Sequence, residues 1–250
     1  MPWPPREDKL LYRPVRPEDY RALAVPQPVT GTVVVEASPW LEDNQWVLDL
    51  AANDLFIVDF VGHLPVATKE FAGHLKRFAA NKLFRGIRIR GRKLEGTSDD
   101  PAFVTDLKLL AEHDLWLDLV GGREILPCAD RLAKEVPGLR IIMDHLAGVV
   151  VDGKPPPADW VSQMRALVQR PGVYCKLSGL IDGTGRSDGS APRDAELAER
   201  GRGELFSGAQ RESDLAVHNL GHEHCGAGGH DQLRGHQRHW RWAVLLPRRC

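Results

Sequence analysis

The sequence predicts an α/β protein on a parallel sheet. The fold class is a (β/α)8 barrel of the TIM type, incomplete, with about six of the eight β/α units, followed by an irregular C-terminal tail. Three observations predict it. Six short apolar runs between residues 28 and 181 alternate with stretches of helical spacing, as in a chain of βαβ units. The runs are continuous, as in Val33, Val34 and Val35, which suits strands covered on both faces. No GxGxxG or GxxxxGK[ST] turn occurs, which disfavours the alternative of an open, doubly wound nucleotide-binding sheet.

The elements follow in order. TGTVVVEAS (30–38) is the first strand, and NQWVLDLAAND (44–54) is helical with Trp46, Val47, Leu50 and Ala51 on its stripe. FIVDFVGHL (56–64) is the second strand, and the helix after it carries Phe71, Leu75, Phe78 and Ala79 at helical spacing. FRGIRIRG (84–91) is the third strand. FVTDLKLLAEHD (103–114) is a helix with Phe103, Leu107, Leu110 and Ala111 on one face and Asp99 or Asp100 as its cap. LWLDLVGG (115–122) is the fourth strand, and GREILPCADRLAKEVPG is helical with a kink expected at Pro127. LRIIMDHLAG (139–148) is the fifth strand. The helix after PPP stripes Trp160, Met164, Leu167 and Val168, and GVYCKLSGL (172–180) is the sixth strand.

Beyond Ile181 the character changes. Residues 191–250 contain no Ile, Lys, Met, Thr or Tyr, but six of the ten histidines and nine arginines. A strand pattern appears only at WAVLLP (242–247). So little periodic apolar content does not easily bury a core. The expected division is a partial barrel domain over 1–187 and an irregular or disordered His/Arg/Gly-rich tail over 188–250. A break this abrupt fits a different domain, a disordered tail or a shifted reading frame. The tail's His222, His224, Cys225, His230, His236 and His239 offer metal ligands, but no spacing matches a zinc finger.

Composition excludes some classes. The chain is 42% hydrophobic and 27% charged with a net charge of -1. It is therefore globular, with nothing that argues for nucleic acid or an acidic membrane surface as partner. No apolar stretch reaches the roughly 18 residues of a spanning helix, and the expectation is a cytoplasmic protein. The four cysteines are widely spaced with no CxxC pair, so reduced thiols are expected, with Cys128 and Cys175 as small core residues.

Barrels of this class place their chemistry at the C-terminal ends of the strands. RIIMDHLAG puts Asp144 and His145 at such an end. His145 is the first candidate for a chemical role, against a hydrogen-bonded structural histidine. Asp144 is the second, against a local orienting or capping role. Glu36 ends the first strand, and either faces the pocket or is ion-paired at the surface. Arg88 alternates with Ile87 and Ile89 and points opposite to them, while Arg90 shares its face nearer the strand end. Both suit carboxylate recognition, with an ion pair under the helices as the alternative for Arg88. Lys176 lies between Cys175 and Leu177 inside a strand. A lysine there is seldom buried unpaired, so a pocket role or a salt bridge to a neighbouring strand's acid is expected. His63 ends the second strand near the mouth. His74 and His113 sit in helical patterns and are expected to be solvated or capping.

VVVEASPWLEDNQWVLDLA, VGHL, RGIRI, LDLV, RIIMDHLAG, a W-x3-M helix and VYCKLSGL occur in that order. Together, over roughly residues 6–190, they resemble the amidohydrolase-related TIM-barrel hydrolases. The likeness is to their lactonase group, the sugar-acid and pyrone-dicarboxylate lactonases. That family opens with a strand ending in HxH and closes with a strand whose G-S-D-W-P type motif supplies an Asp. Neither occurs in this sequence, so the first and eighth strands are expected to be missing. The resemblance implies water attack on a lactone or similar cyclic ester or carboxylate, a small-molecule substrate. His145 is then catalytic or a ligand to a divalent metal, zinc or manganese, with no metal in this chain as the other alternative. A metal would lower the pKa of bound water; without one, the same groups serve as general base directly. Arg88, Arg90, Lys176, Glu36 and His63 are then substrate-binding. The alternative reading is a catalytically inactive, truncated barrel that self-associates through exposed strand edges as a homo-oligomer, or needs a partner.

Overall fold

The structure is a computed structural model that describes residue 7 and residues 12–22, 30–36, 38–150, 154–178, 215–217 and 243–247. The cysteines and histidines of the tail lie outside the described residues.

Six parallel strands form one curled sheet in chain order: β1 (Thr32–Val35), β2 (Ile57–Gly62), β3 (Phe84–Arg90), β4 (Trp116–Val120), β5 (Arg140–Met143) and β6 (Val173–Leu177). Helices return the chain between them: α2 (Leu41–Asn53), α3 (Phe71–Ala79), α4 (Gly91–Thr97), α5 (Pro101–Glu112), α6 (Ile125–Glu135) and α7 (Ala158–Leu167). A short α1 (Pro17–Arg21) precedes them. The expected barrel is thus present as six strands of α/β half-barrel. Beyond β6 the sheet continues with two short antiparallel strands, β8 (Ala243–Pro247) against β6 and β7 (Leu215–Val217) against β8. β8 falls on the expected WAVLLP run; β7 was not expected.

The core lies between sheet and helices. Phe71, Leu75 and Phe78 on α3, Phe103, Leu107 and Leu110 on α5 and Trp160, Met164 and Leu167 on α7 are all buried. Phe84 packs edge-on to Phe60 at 5.9 Å and stacks on Phe78 at 5.8 Å, an aromatic pairing that adds to area burial. Asp100 caps α5 by accepting from the Ala102 N–H at 2.8 Å.

Four local expectations are corrected. Trp46 is exposed, because the buried stripe of α2 is Asn44, Val47, Leu48 and Ala51. α6 starts at Ile125, so Pro127 falls in its first turn, where no intrahelical partner awaits its missing N–H and no kink is required. β2 stops at Gly62 rather than Leu64. A Cβ there would lie 2.5 Å from both Asn44 Oδ1 and Phe84 Cε2, and Asn44 takes over the next residue's backbone, bonding both His63 N–H (3.0 Å) and His63 C=O (2.7 Å). β5 ends at Met143, and Asp144–Gly148 form a tight turn instead of a strand.

Candidate functional site

Strand alternation sets the inner face of the half-barrel. Arg88, Asp118, Ile142 and Tyr174 are register partners across β3 to β6. One residue pair further along each strand come Arg90, Val120, Asp144 and Lys176, on the same face by the two-residue period. Apolar residues of opposite parity, Ile87, Ile89, Leu117, Leu119, Ile141 and Met143, go to the helices and are buried.

The inner face carries a compact charge cluster. Lys176 Nζ lies 2.5 Å from Asp118 Oδ2 and 2.7 Å from Asp144 Oδ1. Arg88 Nη2 lies 2.7 Å from Asp144 Oδ2 and 4.0 Å from Asp118 Oδ2. Two cations and two carboxylates make the group neutral. Asp118 and Asp144 are wholly buried and Lys176 is 5% exposed, so each charge depends on the others for the solvation water would give. Burial pushes the Asp118 carboxyl up to about 6, with the Lys176 ammonium opposing the shift. Asp118 Oδ1 and Arg88 Nε are buried without hydrogen-bond partners, and Asp144 meets its two cations as ion-pair contacts rather than as aligned hydrogen bonds.

His145 stands beside this cluster on unusual backbone. His145, Leu146 and Ala147 have φ of 53°, 53° and 51°, and Gly148 follows at 63°. This is a turn of left-handed helix, costing about 1–2 kcal/mol for each of the three non-glycine residues. Backbone strain of this kind concentrates at functional sites. The ring's Nδ1 lies 2.9 Å from Ser178 Oγ, just past β6.

Toward β1, at the strand ends, lies a cleft lined by Glu36, His63, Arg88, Arg90 and Lys93 together with the apolar Pro39, Leu64, Val66 and Ile89. Arg90 Nη2 is 4.0 Å from Glu36 Oε1, and Arg88 Nη1 donates to the Glu36 carbonyl at 3.4 Å. Burial raises the Glu36 carboxyl, against the pull of Arg90 and Arg88. Burial lowers the His63 imidazole, and the Lys93 and Arg90 cations lower it further.

Of the residues singled out in the sequence, Arg88, Asp144 and Lys176 meet in the cluster, Glu36, His63 and Arg90 meet in the cleft, and Arg88 joins the two. Lys176 forms salt bridges to Asp118 and Asp144. His74 lies within α3 and His113 caps α5. Asp118, Lys93 and Ser178 were missed. For Asp118 the signal was there: a carboxylate inside the apolar run LWLDLV is as anomalous as a lysine inside VYCKL.

The model of the amidohydrolase family matches residues 3–206. The chain belongs to the amidohydrolase family. This amidohydrolase is 33% identical over 185 residues to an L-fucono-1,5-lactonase of Burkholderia ambifaria, covering 71% of this chain and 62% of the lactonase. Its fold matches an amidohydrolase of Burkholderia multivorans solved with bound zinc, at a TM-score of 0.60 and 20% identity, over 70% of this chain and 64% of that one. It also matches a probable 2-pyrone-4,6-dicarboxylic acid hydrolase of Acinetobacter baumannii solved with citric acid, at a TM-score of 0.54 and 17% identity, over 71% and 63% of the two chains. The chain therefore spans under two thirds of the length of these relatives.

A divalent ion needs several open anionic or imidazole donors converging on one point. Among the described residues of this amidohydrolase no three His, Cys, Asp or Glu side chains converge so. The Asp118 and Asp144 carboxylates already hold the Lys176 ammonium and the Arg88 guanidinium. The described residues do not fit a divalent metal, including the expected ligation by His145.

Proposed function

We propose that this site hydrolyses a lactone, by attack of water on the ring carbonyl to give the open hydroxy acid. The observation that carries the reading is His145 on strained backbone at the strand ends, beside a neutral buried cluster of Arg88, Asp118, Asp144 and Lys176. His145 is the general base that takes the water's proton, with Ser178 orienting its ring. Asp144 fixes Arg88 and Lys176, whose charges stabilise the oxyanion that develops at the carbonyl. Glu36, His63 and Arg90 in the cleft hold the substrate's hydroxyl or acid groups. The 33% identity to an L-fucono-1,5-lactonase supports a sugar-acid lactone as substrate. Part of this reading is a cytoplasmic protein. Cys128 and Cys175 are free thiols, as a reducing compartment favours, and among the described residues no helix is long and apolar enough to cross a membrane.

The test is hydrolysis by the purified chain over a panel of sugar-acid and pyrone lactones, with and without divalent metal. Turnover of at least one lactone is expected, with His145→Ala reducing kcat by about 100-fold or more. No turnover, or turnover indifferent to His145→Ala, overturns the assignment.

A second reading is an inactive partial barrel that self-associates or is completed by a partner. It is favoured by β1, which among the described residues is paired on one side only. Turnover of a lactone by the chain as a stable monomer would remove it.

A further inference from the structure

We propose that Trp160 is a positioning residue for His145: its indole N–H holds closed the left-handed turn that presents the imidazole. The inference rests on reading His145 as the base. Trp160 lies on α7, outside the sheet, and is 1% exposed. Packing alone accounts for that burial. It does not account for the direction of the ring nitrogen. Trp160 Nε1 donates to the Leu146 carbonyl at 3.1 Å, and Leu146 is the middle of the three non-glycine residues with φ near 50°. A right-handed or extended Leu146 would turn that carbonyl elsewhere, so the bond forms only in the strained state and selects it.

The other contacts agree. The turn also packs directly against β6. Leu146 and Ala147 are themselves buried, and Gly148 runs close against Gly121 and Gly122 after β4. The turn is thus gripped by the sheet on one side and by a helix on the other. His145 then has two anchors. Ser178 holds its ring, and Trp160 holds the backbone that carries it. A base must sit within hydrogen-bond reach of the proton it takes, and a small misplacement is enough to lose most of its effect.

The experiment uses Trp160→Phe, which removes the N–H and keeps an aromatic ring, Ala147→Gly, and the pair together. Glycine adopts positive φ without a Cβ penalty, so Ala147→Gly removes strain that the indole opposes. Trp160→Phe is expected to lower kcat about 10- to 100-fold with KM little changed, and to speed hydrogen exchange at the amides of residues 145–148 ahead of the core. Ala147→Gly in that background is expected to recover much of the loss, a rescue that a packing role does not predict. Wild-type kcat and exchange in Trp160→Phe overturn the proposal. So does a loss that Ala147→Gly leaves untouched while exchange quickens throughout the core. In the unaltered chain, the Trp160 indole proton should resonate downfield of those of the exposed Trp40 and Trp46. A shift matching theirs overturns the clamp even if the variant fails to fold. If the unaltered chain turns over no lactone, the function fails by itself, and the indole shift and the exchange at 145–148 still decide the clamp.

Discussion

Asp118 is wholly buried, with one close cation and one oxygen that no hydrogen bond reaches. Its carboxyl titrates near 6 against about 4 in an unfolded chain. The folded state therefore holds this proton more tightly than the unfolded one. The associated stabilisation is complete below about pH 4 and is lost as pH rises through about 6. The carboxylates of exposed Glu42 and half-buried Asp54 are lowered by Arg77 and Arg21 and act in the opposite sense, so the total curve hides the effect. A difference isolates it. Urea unfolding of the unaltered chain and of Asp118→Asn at several pH values between 4 and 7.5 should give a stability difference that shifts against the unaltered chain as pH rises, by at most roughly 3 kcal/mol. A difference independent of pH would mean that Asp118 stays ionised throughout, held by Lys176.

The turn after β5 is where the element scale departs from what the residues announce. Gly148 sits at φ 63°, and a Cβ there would lie 3.1 Å from the Gly121 carbonyl oxygen. Gly148→Ala adds a fourth left-handed residue with a side chain and presses it on backbone that cannot easily give. It should destabilise by about 1–3 kcal/mol in urea titration; an unchanged midpoint would mean that the turn relaxes freely. Much of the scaffold was legible. Continuous runs such as VVV and RIIM mark strands because burial on both faces leaves no alternation, and Phe71, Leu75 and Phe78 mark the inner stripe of α3. The turn was not legible, since DHLAG shows no glycine or asparagine at the three strained positions, and contacts from α7 and β6 impose the conformation. Trp46 misled for the opposite reason. A large apolar residue in a helical pattern read as core, yet Asn44 takes the inner position because His63 gives it two backbone bonds. The cleft was half legible: strand-end positions marked Glu36, His63 and Arg90, while Lys93 comes from α4, a short helix with Gly91 at its start and no clear apolar stripe.

At the scale of the molecule the open question is the sheet's first edge. β1 is bonded to β2 through the Thr32 and Glu36 N–H groups, to Phe56 and Val61 carbonyls at 2.7 and 2.8 Å. In a parallel ladder alternate N–H groups point the same way, so the Val35 N–H points away from β2, toward the side with no strand among the described residues. An edge of valines with outward donors is a template for another strand. Association through it would join the site of one copy, whose Glu36 immediately follows β1, to the surface of another. Proline at position 35 removes the outward donor without touching the ladder, which is the place an edge strand tolerates it. If the edge mediates self-association, sedimentation across micromolar concentrations should show the unaltered chain shifting to larger species, and Val35→Pro shifting far less while its circular dichroism stays α/β. Association unchanged by Val35→Pro would put the contact elsewhere. A monomer at every concentration would remove self-association through this edge.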